Sequence, residues 1–257
     1  MGGALLKGWI ASGRFSTIHV VEPAPSKAIA ALAKRKVILL AKDLRNAPAR
    51  PRAVVIALKP QVIKSERVLL KSLGAAGTLV VSIAAGITTE FLRDALGPGA
   101  SVVRTVPNTP GAVGRGITAL YAPPGTPKAD RALAERLMAP LGETLWFGDE
   151  QLLDVVTALS GSGPAYVFHL VEALTRAGLA HGLAPDVAAR LARATITGAG
   201  ALLEADARLP EDLRKDVTSP GGTTEAALKV LMDKDGLEAL MTRAVTAAVK
   251  RSRELGS

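Results

Sequence analysis

The segment 79–96 reads LVVSIAAGITTEFLRDAL and joins a predicted strand to a predicted helix. Residues 79–84 are almost continuously apolar, which is typical of a strand covered on both faces of its sheet. Gly86 then lets a flat ring or a ribose lie against the backbone, or simply permits tight packing. Residues 88–96 follow as a helix, and alternation of this kind is typical of a parallel α/β sheet.

The same alternation runs through the first half of the chain. Further strands are predicted at 18–21, 37–40, 54–58, 101–106, 118–121 and 144–147, and further helices at 25–32, 62–73 and 128–140. We therefore predict that residues 1–150 form a doubly wound parallel sheet. From 151 to 257 the strand signals stop and Ala/Leu-rich helical stretches take over, which predicts a second, all-helical domain.

The predicted helical domain has apolar surface that needs a partner. Its last helix carries one apolar stripe, formed by Leu237, Leu240, Met241, Ala244, Val245 and Ala248. The stretch 188–201 is rich in Ala and Gly and offers little side chain for burial. We expect this domain to complete its core with a second subunit, in a homodimer or a larger oligomer.

Composition excludes several function classes. The 257 residues include no Cys and 3 His, which excludes disulfides, thiolate metal sites and cysteine nucleophiles, and no metal is expected. An aromatic content of 3% argues against the stacking platforms that bind nucleic-acid bases. No apolar run reaches the ~18 residues of a membrane span, and the N-terminus does not resemble a signal peptide. We expect a cytoplasmic protein that binds neither membrane nor nucleic acid.

The positive charge is concentrated at the start of the chain. The formal net charge is +9, and within residues 1–60 Glu22 and Asp43 are the only acidic residues. The basic patch comprises Lys34, Arg35, Lys36, Lys42, Arg45, Arg50 and Arg52. We favour a solvated face over a polyanion site, because no nucleic-acid-reading motif accompanies the charge.

Three predicted strands end in segments suited to a ligand. VVIALKP at 54–60, VSIAAG at 81–86 and RTVPNTP at 104–110 follow one another along the chain. Open α/β sheets bind ligands at the carboxyl ends of their strands, so these ends outline one crevice. Residues 1–9 read as the end of a Gly-rich turn that runs into its helix, which makes 18–21 a second strand, although a plain N-terminal helix is the alternative.

Two Gly-rich segments enter predicted helices in the second domain. LSGSGPAY at 159–166 and DVTSPGGTTE at 216–225 both expose backbone N–H groups at a helix start. In the second segment, Ser219, Thr223 and Thr224 add hydroxyls that suit a small carboxylate or phosphate, although Ser219 is equally suited to a plain N-cap. No Ser/His/Asp set, HExxH or Walker sequence is present. A dinucleotide sheet with an anion cradle and no nucleophile indicates hydride transfer.

Four motifs together resemble one family. GSGPAY at 161–166, DVTSPGGTT at 216–224, VPNTP at 106–110 and ALKP at 57–60 are similar to pyrroline-5-carboxylate reductase. The resemblance implies a Rossmann-like domain, a helical dimerisation domain, and reduction of 1-pyrroline-5-carboxylate to L-proline by NADPH or NADH, the last step of proline biosynthesis. A small cyclic imino acid and a second copy of the chain are the implied partners.

The resemblance also implies roles for individual residues. Thr224 is the expected catalytic residue, with its hydroxyl at the ring nitrogen. The expected substrate-binding residues are Ala165, Ser219, Gly221, Gly222 and Thr223. The expected cofactor-binding residues are Gly2, Ala57, Leu58, Lys59, Pro60, Ile83, Ala84, Ala85, Asn108 and Thr109.

The sequence departs from the family pattern in two places. Met1 and Gly2 match the end of the family's Gly-x-Gly-x-Met-Gly turn, so we expect its first strand and leading glycines to be missing. After the strand at 18–21, Glu22 stands where a 2′-phosphate would need an arginine, and a carboxylate there suits the free ribose of NAD. The abundant Lys and Arg residues from Lys34 to Arg52 favour the 2′-phosphate instead. We put NADPH ahead of NADH because the family resemblance implies it.

Two rival interpretations remain to be weighed. The β-hydroxyacid dehydrogenases share the layout of the two domains but need a lysine after their Gly-rich motif, and residues 163–183 contain none. A truncated, weakly active or inactive dimeric scaffold of the same family is the other alternative. It would show no saturable binding of NAD(P)H.

Overall fold

The computed structural model describes residues 1–44, 51–74 and 77–256. The strands are β1 His19–Val21, β2 Leu39–Ala41, β3 Ala53–Ile56, β4 Leu79–Ser82, β5 Ser101–Val106, β6 Gly116–Tyr121 and β7 Gly142–Trp146. The helices are α1 Gly2–Ser12, α2 Lys27–Lys34, α3 Pro60–Ser65, α4 Arg67–Leu73, α5 Thr89–Leu96, α6 Lys128–Met138, α7 Leu152–Val156, α8 Gly163–Ala180, α9 Pro185–Ala205, α10 Pro210–Asp216, α11 Thr223–Leu231 and α12 Leu237–Gly256.

Five strands form one sheet in the order β3-β4-β5-β6-β7, and β1 and β2 form a separate parallel pair. The neighbours β3, β4 and β5 are parallel, as predicted. The α/β fold is confirmed with two differences, because β1 and β2 pair apart from the other strands and β6 runs antiparallel to β5. Only the short segment 107–115 joins these two strands, whereas a parallel crossover needs about a dozen residues or more.

Helices cover both faces of this sheet. Leu79, Val80 and Val81 of β4 are all 0% exposed. Leu79 and Val81 pack in one cluster with Met138 of α6, whereas Val80 packs in another with Leu92 of α5. Successive side chains of a strand point to opposite faces. The continuous apolar run therefore supplies two cores at once, as the sequence predicted.

Some predicted boundaries differ from the observed ones. The helix predicted at 62–73 is two helices, because Glu66 leaves the helical conformation with φ −103° and ψ 45°. The helix predicted at 128–140 ends at Met138, and a short 3-10 turn follows at Ala139–Leu141. Strand β3 ends at Ile56, so Ala57 and Leu58 already belong to the turn after it.

The contacts divide the chain into two compact units. The first comprises Met1–Gly161 together with the C-terminal residues from Val249, and the second comprises Ser162–Ala248. Helix α12 contributes residues to both. The domain boundary predicted at residue 150 rests on where the strand signals stop and stays a prediction.

The second unit has almost no core of its own. Of the residues 162–248, all of which the structure describes, only Ala188 and Ala192 are buried. Helices α8 and α9 approach closely, since a Cβ on Gly178 would lie 3.2 Å from the Cβ of Ala188. Among the helices described, none is both long enough and apolar enough to cross a bilayer.

Candidate functional site

The predicted cofactor-binding residues gather at one edge of the five-stranded sheet. Because β3, β4 and β5 are parallel neighbours, their carboxyl ends lie side by side. These ends carry Ala57, Leu58, Lys59 and Pro60, then Ile83, Ala84 and Ala85, then Asn108 and Thr109. Gly2 at the start of α1 reaches the same edge, since a Cβ on it would lie 2.9 Å from the Cβ of Ala57.

Exposure at this edge differs from strand to strand. After β3, Ala57, Leu58 and Lys59 are exposed, and Leu58 is 40% exposed although it is a large apolar residue. After β4, Ala84 is 4% exposed, so it offers a ligand little more than its backbone. An exposed leucine beside a cation suits a ligand with both a flat apolar part and a negative charge.

The side chain of Asn108 also links two strands, which the sequence did not predict. Its Oδ1 accepts a hydrogen bond from the backbone N–H of Ile117 at 3.0 Å. This bond ties the end of β5 to the start of β6 and leaves the side-chain NH₂ group of Asn108, with the second lone pair of Oδ1, for a ligand. Thr109 next to it is exposed and begins a 3-10 turn.

The segment 219–224 forms a cradle at the N-terminus of α11. The backbone turns tightly, because the N–H of Gly222 donates to the carbonyl of Ser219 at 3.0 Å and Gly221 adopts φ +71°. Gly222 is the N-cap of α11. A Cβ on it would lie 2.6 Å from Ser219 Oγ, so only glycine leaves the serine hydroxyl where it is.

The cradle is rich in hydrogen-bond donors without partners. Within the described residues, the hydroxyls of Ser219, Thr223 and Thr224 form no hydrogen bond. The first N–H groups of α11 likewise have no intrahelical acceptor. Thr224 is half-buried, whereas Ser219 and Thr223 are exposed. Such a set of donors at a helix N-terminus favours a carboxylate or a phosphate.

Glu225 belongs to the cradle, and the sequence analysis missed it. Its Oε2 accepts a hydrogen bond from the N–H of Gly221 at 2.6 Å, and its Oε1 lies 3.5 Å from Lys229 Nζ. The sequence pattern could have indicated this role, because a Glu three residues after an N-cap often accepts a hydrogen bond from a backbone N–H at the start of the helix. Glu225 therefore stabilises the turn on which the free donors are mounted.

An ion-pair network lies just before the cradle. Arg208 donates to Asp206 at 2.8 Å and to Asp216 at 2.9 Å, and so joins the segment after α9 to the last residue of α10. The hydrogen bond from Arg208 lowers the pKa of the Asp206 carboxyl. The two carboxylates in turn raise the pKa of Arg208 above its ordinary value. The network holds the segment that leads into Ser219.

Ala165 is exposed near the start of α8. Its N–H donates to the carbonyl of Ser162 at 2.9 Å. No hydrogen bond in the described part of the chain joins Ala165 to the cradle, so its substrate-binding role stays a prediction.

A buried charge cluster in the first unit also escaped the sequence analysis. Arg104 on β5 is 2% exposed and pairs with Glu150 at 3.2 Å and with Asp154 at 3.5 Å. Asp154 also accepts a hydrogen bond from Ser252 at 2.8 Å, which ties the end of α12 to α7. Arg104 and Ser252 are distant in sequence from each other and from the pair Glu150 and Asp154, so no local motif predicts the cluster. The four residues line or adjoin a polar cavity of about 390 Å³.

The basic patch is only partly described. Four of its exposed members make no ion pair with the described residues, namely Lys34, Arg35, Lys36 and Lys42. Arg52 differs, because it pairs with Asp130 at 2.6 Å. Arg45 and Arg50 lie outside the described residues. The solvated-face interpretation stays a prediction.

Comparisons with known proteins agree across both units. A family model for pyrroline-5-carboxylate reductase dimerisation matches residues 150–255, and one for coenzyme F420-dependent NADP oxidoreductases matches residues 1–86. The pyrroline-5-carboxylate reductase of Pseudomonas aeruginosa is 43% identical, with 79% of this chain and 74% of that protein covered. That of Pisum sativum is 37% identical, with 98% and 90% covered.

Solved structures give the same result. A pyrroline-5-carboxylate reductase from Coxiella burnetii matches with a TM-score of 0.90 and 36% identity, and 100% of this chain and 95% of that chain are covered. A Plasmodium falciparum pyrroline carboxylate reductase with NADP bound matches with a TM-score of 0.82 and 25% identity, with the same coverage of 100% and 95%.

Proposed function

The chain belongs to the pyrroline-5-carboxylate reductase family, and from that premise we propose how its residues share the reaction. It is an oxidoreductase that reduces 1-pyrroline-5-carboxylate to L-proline with hydride from NAD(P)H. The alternative of an inactive scaffold is not favoured, because the relatives at 37% and 43% identity are named reductases.

The cradle 219–224 holds the carboxylate of the substrate. The observation that carries this proposal is the set of free donors there, namely the hydroxyls of Ser219 and Thr223 and the first N–H groups of α11. A carboxylate accepts several hydrogen bonds at once, and the positive end of the helix dipole favours its charge. Glu225 and Gly221 support the cradle, because their hydrogen bond fixes the turn.

Thr224 positions the ring nitrogen. The hydroxyl of Thr224 is half-buried and unpaired within the described residues, so it is available to donate a hydrogen bond to that nitrogen. When bound, NAD(P)H would supply the hydride to the carbon of the C=N bond, and the nitrogen would take a proton from water and become the amine of proline. The protein's own contribution is orientation, and no strong base is needed.

The cofactor lies along the carboxyl edge of β3, β4 and β5. The close approach of Gly2 to Ala57 supports this assignment, because a Cβ on Gly2 would lie 2.9 Å from Ala57 and narrow the edge. Leu58 and Lys59 line the dinucleotide after β3, and the backbone of Ile83, Ala84 and Ala85 lines it after β4. Asn108, through its free NH₂ group, and Thr109 lie towards the nicotinamide.

A second copy of the chain covers the helical unit. Large apolar side chains are exposed there, among them Phe168 at 63%, Leu202 at 63% and Val230 at 72%. A monomer rarely leaves so much apolar surface in water. The match to a dimerisation region over 150–255 supports the same proposal. A cytoplasmic location, with no nucleic-acid or membrane partner, completes the proposed setting.

A matched pair of variants tests the role of Thr224. Thr224→Val keeps the shape of the side chain and removes the hydroxyl, so kcat should fall by about a hundredfold, whereas Thr224→Ser should keep most of it. Thr242→Val is the control, because Thr242 is an exposed helical threonine whose hydroxyl donates to the carbonyl of Glu238. Oxidation of NAD(P)H with 1-pyrroline-5-carboxylate is followed by absorbance. Equal kcat in Thr224→Val and the control would remove Thr224 from the mechanism.

A further inference from the structure

Glu22 lies at the carboxyl edge of the two-stranded parallel pair. It is the first residue after β1, and its N–H donates to the carbonyl of Ala41 at the end of β2, at 2.9 Å. Its side chain is half-buried, and Oε1 accepts a hydrogen bond from the N–H of Ala24 at 3.1 Å. The carboxylate is therefore held close to the strand end and does not extend freely into solvent.

The loop that follows offers a phosphate little support. Pro23 and Pro25 have no N–H group, and the N–H of Ala24 is already used by Glu22. The Ser26 hydroxyl caps α2 by accepting from the N–H of Ile29 at 3.4 Å. The donors that remain to an anion here are the Lys27 side chain and the first N–H groups of α2.

We propose that Glu22 binds the free 2′-hydroxyl of the adenine ribose, so that this chain prefers NADH to NADPH. The inference deepens the proposed function and rests on its cofactor site. In dinucleotide-binding folds an acidic residue about 20 residues after the Gly-rich turn accepts hydrogen bonds from the ribose. Glu22 stands at that spacing from Gly2 and at the end of a strand.

The physical reason for the preference is charge. A 2′-phosphate carries close to two negative charges. Against a carboxylate at contact distance, such a charge weakens binding by about tenfold or more, even where solvent screens it. A free hydroxyl in the same place donates a hydrogen bond to the carboxylate instead.

Two lysines argue for the opposite preference and must be weighed. Lys42 follows β2 directly beside Glu22, since Val21 pairs with Ala41, and Lys27 begins α2. Both are exposed, and neither forms an ion pair with Glu22 in the described part of the chain. A solvated lysine is free to move away, whereas Glu22 is fixed by its hydrogen bond. We therefore assign the discrimination to Glu22.

The test measures cofactor binding without turnover. Isothermal titration of the intact chain with NADH and with NADPH should give a dissociation constant at least tenfold lower for NADH. Adenosine 5′-phosphate and adenosine 2′,5′-bisphosphate, which carry only the adenosine end, should show the same order. Glu22→Gln should narrow the ratio of the NADH and NADPH dissociation constants, and Glu22→Arg should invert it.

Matched controls separate the possible causes. Glu143→Gln changes an exposed carboxylate on β7 and should leave the ratio unchanged. Tighter binding of NADPH, an unchanged ratio in Glu22→Gln, or binding of neither dinucleotide would overturn the inference. If Lys42→Gln lost NADPH binding while the Glu22 variants kept the wild-type ratio, the inference would likewise be overturned. Proline formation that runs faster with NADPH would contradict only this inference, whereas tight NADH binding without proline formation would contradict only the proposed function.

Discussion

Replacing Gly222 by alanine should raise the KM for 1-pyrroline-5-carboxylate and leave the fold intact. The backbone accepts alanine, because Gly222 has φ −82° and ψ 172°. The new Cβ, however, would lie 2.6 Å from Ser219 Oγ and 3.0 Å from the carbonyl oxygen of Ser219. The hydroxyl is the atom most able to move, so it rotates out of the cradle and the substrate carboxylate loses that donor.

The size of the effect follows from the lost hydrogen bond. A hydrogen bond to a charged group contributes about 1.5–3 kcal/mol, which corresponds to a KM about 10- to 150-fold higher. Initial rates over a range of substrate concentrations, at saturating cofactor, measure the change. Gly148→Ala is the control, because a Cβ there meets nothing within 4 Å, and its KM should stay at the wild-type value.

A double variant tests the cause. Ser219→Ala removes the same hydroxyl directly and should raise KM by a similar factor. Because both changes remove one interaction, the pair together should cost little more than either change alone. A KM that is unaffected in Gly222→Ala, or effects that add in full, would refute the reasoning about Ser219.

Three further predictions concern other contacts. Arg104→Met leaves the half-buried carboxylates of Glu150 and Asp154 without their buried guanidinium and should destabilise the first unit by about 3 kcal/mol in urea unfolding; a change below 1 kcal/mol would contradict a structural role for the cluster. Arg208→Gln should raise the pKa of Asp206 towards its ordinary value in a carboxyl NMR titration. The ion pair between Arg208 and Asp206 stabilises the fold at a pH above the unfolded-state pKa of Asp206, and this stabilisation is lost as the pH falls through the lowered pKa of the folded state. An unchanged pKa in Arg208→Gln would show that Arg208 does not act on Asp206. Val230→Lys should lower the oligomeric state seen by light scattering, and an unaltered mass would exclude this exposed position from the subunit interface.

Local patterns predicted the elements that depend on local physics. The strand predicted at 101–106 has the observed bounds Ser101–Val106, and α5 begins after Thr88, whose side chain caps it. The burial of β4 on both of its faces was predicted from its continuous apolar run. The cradle was predictable for the same reason, since Gly221 and Gly222 mark a turn at a helix start.

Features that depend on distant contacts were not predictable. The direction of β6 follows from the length of the segment that joins it to β5, and this length matters only once the two strands are known to pair. Arg104 reads as a strand residue until Glu150 and Asp154 meet it in the fold. The sequence marks Asn108 as a ligand residue but does not show that its Oδ1 also accepts a hydrogen bond from the N–H of Ile117.

The central claim is that this chain transfers a hydride to a cyclic imine and forms L-proline. The most direct measurement incubates the purified chain with 1-pyrroline-5-carboxylate and NADH or NADPH deuterated at the reactive position of the nicotinamide, and analyses the product by mass spectrometry and chiral chromatography. The account predicts L-proline with one deuterium, on the ring carbon next to the nitrogen that does not bear the carboxylate. Proline without deuterium, or no proline with either cofactor, would contradict it.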